Sequence, residues 1–409
     1  MKPDPKLNAL EIHLHGEQIG IITRLAGDQY LFAFEEEYAE NPNRPALSLS
    51  FKSRGGGLLT AARTIRRRLP SFFSNLLPEG HLREYLAQHA GVKAEREFFL
   101  LAALGQDLPG ALTATPLSAD GDHDVKHREP EQSRDDSTLR FSLAGVQLKF
   151  SAVMEATGGL TIPTHGVGGS WIVKLPSLRF PAVPENEFTM MELARAAGIQ
   201  VPETRLVPVS AIGGLPADVV RTTGNAFTIR RFDRANDGAA IHMEDFAQVF
   251  GLFPEDKYKR SSYSNIASVL WRETGQTGID EFIRRLVFSI LIGNGDMHLK
   301  NWSLLYPDRR TPVLSPAYDF VATAPCLPGD KLALSFGKSK SLEGITLDQI
   351  RRFAETAELP VTPIRSIARE TVDRTLSAWE KLEQKDLLPA EIRTAIDGHI
   401  RHVARSTHL

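Results

Sequence analysis

One stretch constrains this chain more than any other: Leu291-Ile292-Gly293-Asn294-Gly295-Asp296-Met297-His298-Leu299-Lys300-Asn301. The apolar run Phe282 to Ile292, with Arg284 and Arg285 inside it, predicts a mostly buried helix leading into the stretch. Gly293 and Gly295 then break that helix, because glycine accepts backbone angles that side chains forbid. Behind the break stand Asp296, His298, Lys300 and Asn301, within six positions. A second acid, Asp319, follows in Pro316-Ala317-Tyr318-Asp319-Phe320, beyond a short apolar segment around Trp302 to Tyr306.

Asp-x-x-x-x-Asn, a strand-like segment and then Asp is a spacing suited to phosphoryl transfer, and protein kinases use it. An acid at Asp296 can orient and deprotonate an attacking hydroxyl. The amide oxygen of Asn301 and the carboxylate of Asp319 are hard oxygen donors of the kind magnesium takes. Asp296 and Asn301 by themselves also fit an ordinary turn with surface charges; Asp319 and the segments upstream weigh against that.

A chain of 409 residues exceeds one ordinary core, so two or three domains are expected. Hydrophobic residues at 42% and charged residues at 24% fit a soluble globular protein. The net charge of −2 does not mark it as a nucleic-acid or membrane binder. A single cysteine, Cys326, excludes an internal disulfide and a cysteine-rich zinc site. Met1 to Lys6 lacks the apolar core of a signal peptide, and no apolar run reaches membrane length, so the expectation is a cytoplasmic protein.

Taken in order, Leu10 to Phe34 alternates around Gly16 and Gly27-Asp28 like antiparallel strands joined by tight turns, and Pro45 to Phe51 reads as another strand. The triple glycine Gly55-Gly56-Gly57 has no Lys-Ser/Thr after it, so it reads as a flexible loop and not a phosphate cradle. Arg63, Arg66, Arg67 and Arg68 suggest a solvated helix face, with nucleic-acid contact as the lesser alternative. Helical patterns run from His81 to His89 and from Ala94 to Leu104, closing a small α+β unit near Pro116. Ser118 to Ser137 carries one aliphatic residue, Val125, and reads as an exposed linker.

Beyond it, Leu139 to Met154 fits a strand-turn-strand over a nucleotide, or an ordinary hairpin. Ser170 to Pro176 is a buried strand carrying Lys174. That ammonium either meets a phosphate and a helix glutamate or sits at a strand end in water. Asn186 can cap a helix running from Glu187 to Ala197, and Glu187 or Glu192 on it can pair with Lys174. Strands are expected at Gln200 to Val209, Pro216 to Arg221 and from Phe227 into a hinge. His242 to Val249 starts a helix, and the rest reads as mainly helical apart from the central motif and short strands near Leu304 and Leu332, with a capping box at Thr346-Leu347-Asp348-Gln349.

At this point the chain resembles a known family, the HipA-type serine/threonine kinases that form the toxin half of bacterial HipBA toxin–antitoxin pairs. The likeness rests on Leu25-Ala26-Gly27, Asn75-Leu76-Leu77-Pro78, Ser142-Leu143-Ala144-Gly145-Val146-Gln147, Ile172-Val173-Lys174-Leu175-Pro176 and Asn186-Glu187. It extends through Arg231-Phe232-Asp233-Arg234 and Asp296 to Asn301, with Tyr318-Asp319. It implies an α+β fold: a two-lobed kinase-like body behind a small α+β N-terminal subdomain. The boundaries would be 1–117 for the subdomain, 118–137 for the linker, 138–232 for the N-lobe and 233–409 for the helical C-lobe.

Carried over by position, Asp296 resembles the catalytic acid. Asn301 and Asp319 resemble the magnesium ligands, and Lys174 the lysine on the α- and β-phosphates, with Glu187 as its supporting ion pair. Ala144, Gly145, Val146, Gln147, Leu148 and Lys149 resemble the phosphate loop. Arg230, Arg231 and Phe232 resemble the hinge that reads adenine through its backbone. Tyr318, His298 and Lys300 count with the nucleotide contacts, and Ser142 matches the serine that the family phosphorylates on itself. Leu148, Met297 and Arg230 depart from the family pattern at none of the base or metal positions.

The resemblance implies ATP and Mg2+ as cofactors and a helix-turn-helix, HipB-like antitoxin as partner, with operator DNA reached mainly through it. It also implies a protein substrate linked to translation, of the glutamyl-tRNA synthetase type. Two rivals from other classes are a small-molecule kinase, which leaves the N-terminal unit and the Ser142 loop without a use, and a catalytically silent co-repressor module. The intact Lys174, Asp296, Asn301 and Asp319 speak against the second.

Overall fold

The computed structural model describes residues 4, 6–61, 64–117, 149–155, 159–162, 169–177, 180–215, 222–324, 327 and 329–407. Ser142, the loop residues Ala144 to Leu148, Arg63, Cys326, the expected linker and the expected strand 216–221 lie outside them.

The N-terminal unit is a five-stranded antiparallel sheet built from β1 (Ala9–Leu14), β2 (Glu17–Leu25), β3 (Gln29–Phe34), β4 (Ile65–Arg66) and β5 (Leu112–Pro116), in the order β4-β3-β2-β1-β5. Alternation puts Leu10, Ile12 and Leu14 inward. Four helices accompany this sheet: α1 (Glu36–Glu40), α2 (Ser71–Ser74), α3 (Gly80–His89) and α4 (Glu97–Leu104). Phe72, Phe73, Phe98 and Leu101 share its buried core. The arginine cluster is no helix: β4 pairs with β3, Arg67 turns at φ 66, and Arg68 leaves to pair with Glu255. Pro45 to Phe51 is no strand either. It ends in a 3-10 turn, Leu49–Phe51, capped by the Ser48 side chain.

The second layer is a six-stranded sheet of β6 (Lys149–Met154), β7 (Leu160–Thr161), β8 (Trp171–Lys174), β9 (Thr204–Pro208), β10 (Ile212–Gly213) and β11 (Asn225–Arg230). Its order is β10-β7-β6-β8-β11-β9, with β10 parallel to β7 and the other pairs antiparallel. Helix α5 (Val183–Ala196) covers it, and Met190, Met191 and Leu193 join Phe227 and Ile229 of β11 in one core. This helix starts earlier than the sequence suggests. Ala182, at φ 51, is the N-cap, with a proline just inside. Asn186 therefore caps nothing; it sits within the helix and exchanges two 3.0 Å hydrogen bonds with the backbone of Ala322.

The third part is mainly helical. A three-stranded sheet of β12 (His242–Asp245), β13 (Ser303–Tyr306) and β14 (Val313–Leu314) lies beside α6 (Phe246–Val249). The helix expected from His242 begins only after Asp245, which caps it in a capping box with Gln248, while His242 to Asp245 pair as a strand with β13. Helix α7 (Tyr263–Leu291) is broken at Gly275, φ 67, and its second half buries Phe282, Leu286, Phe288 and Ile290. Around it stand α8 (Leu347–Ala357), α9 (Val361–Lys381) and α10 (Ala390–Ser406). The capping box at Thr346 and Gln349 is present. Among the described residues no helix is long and apolar enough to cross a membrane.

Candidate active site

The segment after α7 turns as its glycines require. Gly293 has φ 69, where a side chain would be strained, and a Cβ on Gly295 would lie 2.2 Å from Asp330 Oδ2. Asn294, wholly buried, fastens two segments at once: its Nδ2 donates to the Asp319 carbonyl at 3.3 Å, and its Oδ1 accepts from the Asp296 amide at 3.0 Å. Asn301 Nδ2 donates to the Asp296 carbonyl at 2.9 Å, closing the loop from its far end. Tyr263 hydroxyl and Trp302 Nε1 both donate to the Met297 carbonyl, at 3.0 and 3.3 Å. The backbone of Asp296 is thus held from both sides, while the residue itself faces solvent.

Opposite stands Lys174, at the end of β8 and only 4% exposed. Its ammonium bridges Glu187 Oε1 on α5 and Asp319 Oδ1. Glu192, the other candidate, turns to Arg195 and Thr204 instead. In register with Lys174, the neighbouring strand carries Lys149, whose Nζ lies 3.7 Å from Asp319 Oδ1. Burial works against the Asp319 charge, yet Lys149 and Lys174 hold its carboxyl far below the usual carboxylate range. Desolvation of Lys174 is likewise outweighed, first by Asp319 and then by Glu187, so it stays an ammonium. Asp319 also has φ 62, a left-handed backbone that a non-glycine residue keeps only where its surroundings enforce it.

The other sequence-predicted residues have different commitments. The Tyr318 ring meets the Phe232 ring at 5.3 Å, and its hydroxyl sits between Ser303 Oγ, at 2.6 Å, and the Lys300 carbonyl, at 2.9 Å. Arg230 reaches outward to Asn236 Oδ1. The Arg231 side chain turns away from the cleft toward Asp233, at 2.8 Å, and Asp107 of the N-terminal unit, also at 2.8 Å. Lys300 likewise serves the N-terminal unit: Glu79 Oε1 and the Asn75 carbonyl each lie 2.9 Å from its Nζ. His298 is buried, and its Nδ1 has no partner among the described residues. Desolvation and then Lys257 push its pKa down to about 3, so it is neutral at pH 7.

Sequence reasoning missed Tyr258. Its hydroxyl donates to Asp296 Oδ1 at 2.6 Å from a polar loop 38 positions upstream. No local pattern in Glu255-Asp256-Lys257-Tyr258-Lys259-Arg260 signals this. Asn294 was within the central stretch but carried no assigned role.

Chemically, the cleft offers a solvent-facing carboxylate, a second carboxylate beside two ammonium groups, and an amide oxygen on Asn301. These fit a magnesium-bound phosphate chain. The Asn301 Oδ1 accepts no hydrogen bond among the described residues, and Asp319 supplies an anionic oxygen. No cluster of three His, Cys, Asp or Glu able to cage a metal alone occurs among those residues. Magnesium is commonly held by one or two carboxylates with substrate phosphates completing the shell.

Known proteins bear out the resemblance. The HipA N-terminal domain family matches residues 10–115, and the HipA-like C-terminal domain family matches residues 141–379. The chain is 51% identical over 399 residues, 97% of each chain, to "Putative kinase Y4dM" of Sinorhizobium fredii. It is 26% identical to the serine/threonine-protein kinase toxin HipA of Shewanella oneidensis over 78% of this chain and 76% of that one. The solved complex of the Shewanella oneidensis toxin–antitoxin system HipA and HipB with its operator DNA contains a chain of the same fold. That chain has a TM-score of 0.73 at 22% identity and is covered to 96%, over 97% of this chain. Its fold is α+β with kinase-like lobes behind an N-terminal subdomain, and the chain belongs to the HipA family of kinase-type toxins.

Proposed function

We propose that the protein is an ATP- and magnesium-dependent protein serine/threonine kinase that arrests growth by phosphorylating a protein linked to translation, of the aminoacyl-tRNA synthetase class. The observation that carries this reading is the convergence of Lys174, Glu187 and Asp319 across the cleft from Asp296 and Asn301, on a backbone strained at Asp319. Family membership and the names of the relatives support it.

In this reading Asn301 Oδ1 and Asp319 would hold magnesium, which would supply charge neutralisation on the phosphates. Lys174 and Lys149 would take the remaining phosphate charge. Glu187 keeps the lysine ammonium aimed. The hinge at Arg230 to Phe232 presents its backbone to adenine, with the Phe232 and Tyr318 rings beside it. Asp296 orients the acceptor hydroxyl and accepts its proton as the oxygen bonds to the γ-phosphorus and the bond to the β-phosphate oxygen breaks, releasing ADP. The work is positioning and electrostatics.

A HipB-like helix-turn-helix antitoxin is the proposed partner, because the structural neighbour was solved with an antitoxin and operator DNA. Autophosphorylation at Ser142 belongs to the same proposal. The test is incubation with labelled ATP and magnesium, with lysate proteins, small-molecule extracts and the chain itself as acceptors. Label in protein and at Ser142, lost in Asp296→Asn, is expected. Label in small molecules alone, or undiminished transfer by Asp296→Asn, overturns the reading.

A further inference from the structure

The backbone of Asp296 is fixed by Asn294 and Asn301, but a fixed backbone leaves the carboxylate free to rotate about its own side-chain bonds. Among the described hydrogen bonds, the Tyr258 hydroxyl alone reaches that carboxylate, at 2.6 Å to Oδ1. A carboxylate accepts from more than one donor, so Oδ2 stays available to an incoming hydroxyl on the open side of the cleft. We infer that Tyr258 is a positioning residue for the acceptor step: it aims the Asp296 carboxylate at the substrate hydroxyl, and the N-terminal unit holds Tyr258 in place through Glu79 and Lys257.

The bracing is visible on each side of the tyrosine. Its ring stands edge-on to buried His298, with centroids 5.0 Å apart and planes at 85°. The carbonyl of Lys257 accepts from the Leu299 amide at 3.2 Å, tying the loop to the catalytic segment. Lys257 Nζ lies 5.5 Å from the centre of the Tyr258 ring and 2.8 Å from Glu79 Oε2. The other oxygen of Glu79 holds Lys300, four residues after Asp296. One carboxylate of the N-terminal unit thus grips both the loop that carries Tyr258 and the segment that carries Asp296. Desolvation opposes its charge, but Lys300 and Lys257 bring its pKa down to about 2, so the grip is ionised throughout the neutral range. Tyr258 is itself 41% exposed and touches none of Lys174, Asn301 or Asp319 in the described contacts, so the nucleotide site does not depend on it.

A tyrosine in this place could instead block the acceptor. The free side of an exposed Asp296 speaks for aiming, and the two roles differ in sign. This inference rests on the kinase reading, and the experiment separates their failures. Transfer of the γ-phosphate from ATP to casein, to the Asp296→Asn chain and to water is measured for full-length wild type, Tyr258→Phe and Glu79→Gln. Magnesium-ATP affinity is measured by calorimetry and Tm in parallel. Tyr258→Phe is expected to lower kcat by roughly ten- to a hundred-fold, the scale of a misplaced reacting group. Its KM for ATP, Kd for magnesium-ATP and Tm should stay at wild-type values, and Glu79→Gln should lower kcat in the same direction by less. Unchanged kcat in Tyr258→Phe with an active wild type, a raised kcat, or a fall in kcat matched by weaker ATP binding each overturns the inference alone. A wild type that binds magnesium-ATP but transfers phosphate to none of the three overturns the kinase reading and this inference with it.

Discussion

Lys174→Met removes one ammonium and little volume, and the structure sets the size of the effect. The lysine is 4% exposed and Glu187 1% exposed. Burial already pushes the Glu187 carboxyl up, and Lys174 opposes that push. Without the ammonium, Glu187 must stay as a buried unpaired anion or take up a proton. Breaking a buried pair from one side costs about 3–5 kcal/mol. Protonation is the cheaper escape: from an ordinary glutamate pKa it costs at most about 4 kcal/mol at pH 7 and about 1 kcal/mol at pH 5. Glu187 is already raised in the wild type and is raised further in the variant, so its contribution to folding is whole below its unfolded pKa and is lost as pH rises through a folded-state pKa that lies higher in the variant. The destabilisation of Lys174→Met relative to wild type should therefore grow with pH, by at most about 1.4 kcal/mol per unit, over the interval between the wild-type and the variant pKa of Glu187. Urea unfolding followed by tryptophan fluorescence at several pH values measures this. Lys174→Met/Glu187→Leu should recover most of the loss, because a hydrophobic pair of similar volume is often as stable as the ion pair it replaces. Neither variant should transfer phosphate. A destabilisation that does not change with pH, or a double variant no better than the single, would refute the reasoning.

Asp319→Ala should abolish the magnesium-dependent part of ATP binding, since it removes the anionic oxygen among the proposed ligands; calorimetry with and without magnesium checks this. Glu244, buried beneath Ser48, Leu49 and Tyr306, has its carboxyl pushed up to about 7 by burial. Its contribution is whole below its unfolded pKa and lost as pH rises through about 7, so wild type should lose stability over that window with a slope approaching about 1.4 kcal/mol per unit, and Glu244→Gln should lack the slope. Asp233 is opposed by burial but held low by Arg231 and Arg234. Asp233→Asn should cost about 3–5 kcal/mol at pH 7, with the difference from wild type shrinking as acid protonates the native carboxylate, read by urea unfolding from pH 7 downward.

Local patterns that chemistry enforces were legible. The apolar run before Gly293 had to be a buried helix, and the glycines had to end it. Lys174 amid Ile172, Val173 and Leu175 left two readings, a buried pair or a strand-end ammonium in water, and the structure shows the pair. Which partner was not legible, because it depends on how α5 is rotated against β8. Glu187 and Glu192 lie about 140° apart around a helix, so only one can face the strand. Asn186 misled for a related reason: a residue type that often caps helices here spends both its hydrogen bonds on Ala322, far along the chain. The helix expected at His242 begins after Asp245 because β13, distant in sequence, claims the first four residues as a strand. Tyr258 lay beyond sequence reasoning altogether, since its meaning comes from a contact across 38 positions.

The N-terminal unit grips the rest of the molecule at two places that matter to the cleft. One is Glu79, on Lys257 and on Lys300 in the segment that carries Asp296. The other is the stretch Arg231 to Arg234, read as a hinge. Asp107 takes Arg231 at 2.8 Å and Arg234 at 3.1 Å, and the Gly110 amide donates to Asp233 at 2.8 Å. In the proposed reading both arginine side chains are thereby committed to the N-terminal unit and to Asp233, and the backbone of Arg230 to Phe232 is what remains for a nucleotide. Hinge motion in two-lobed enzymes relies on a few residues absorbing backbone rotation. Here Arg231 and Asp233 are buried, Asp107 and Arg234 half-buried, and releasing one partner of the buried Arg231–Asp233 pair costs about 3–5 kcal/mol. If the proposed kinase closes on its nucleotide, that motion must either carry the N-terminal unit along or turn about residues outside Arg231 to Arg234. The N-terminal unit is thus bonded to the rest of the chain at Glu79, through Lys257 and Lys300, and at Asp107 and Gly110, through Arg231, Arg234 and Asp233.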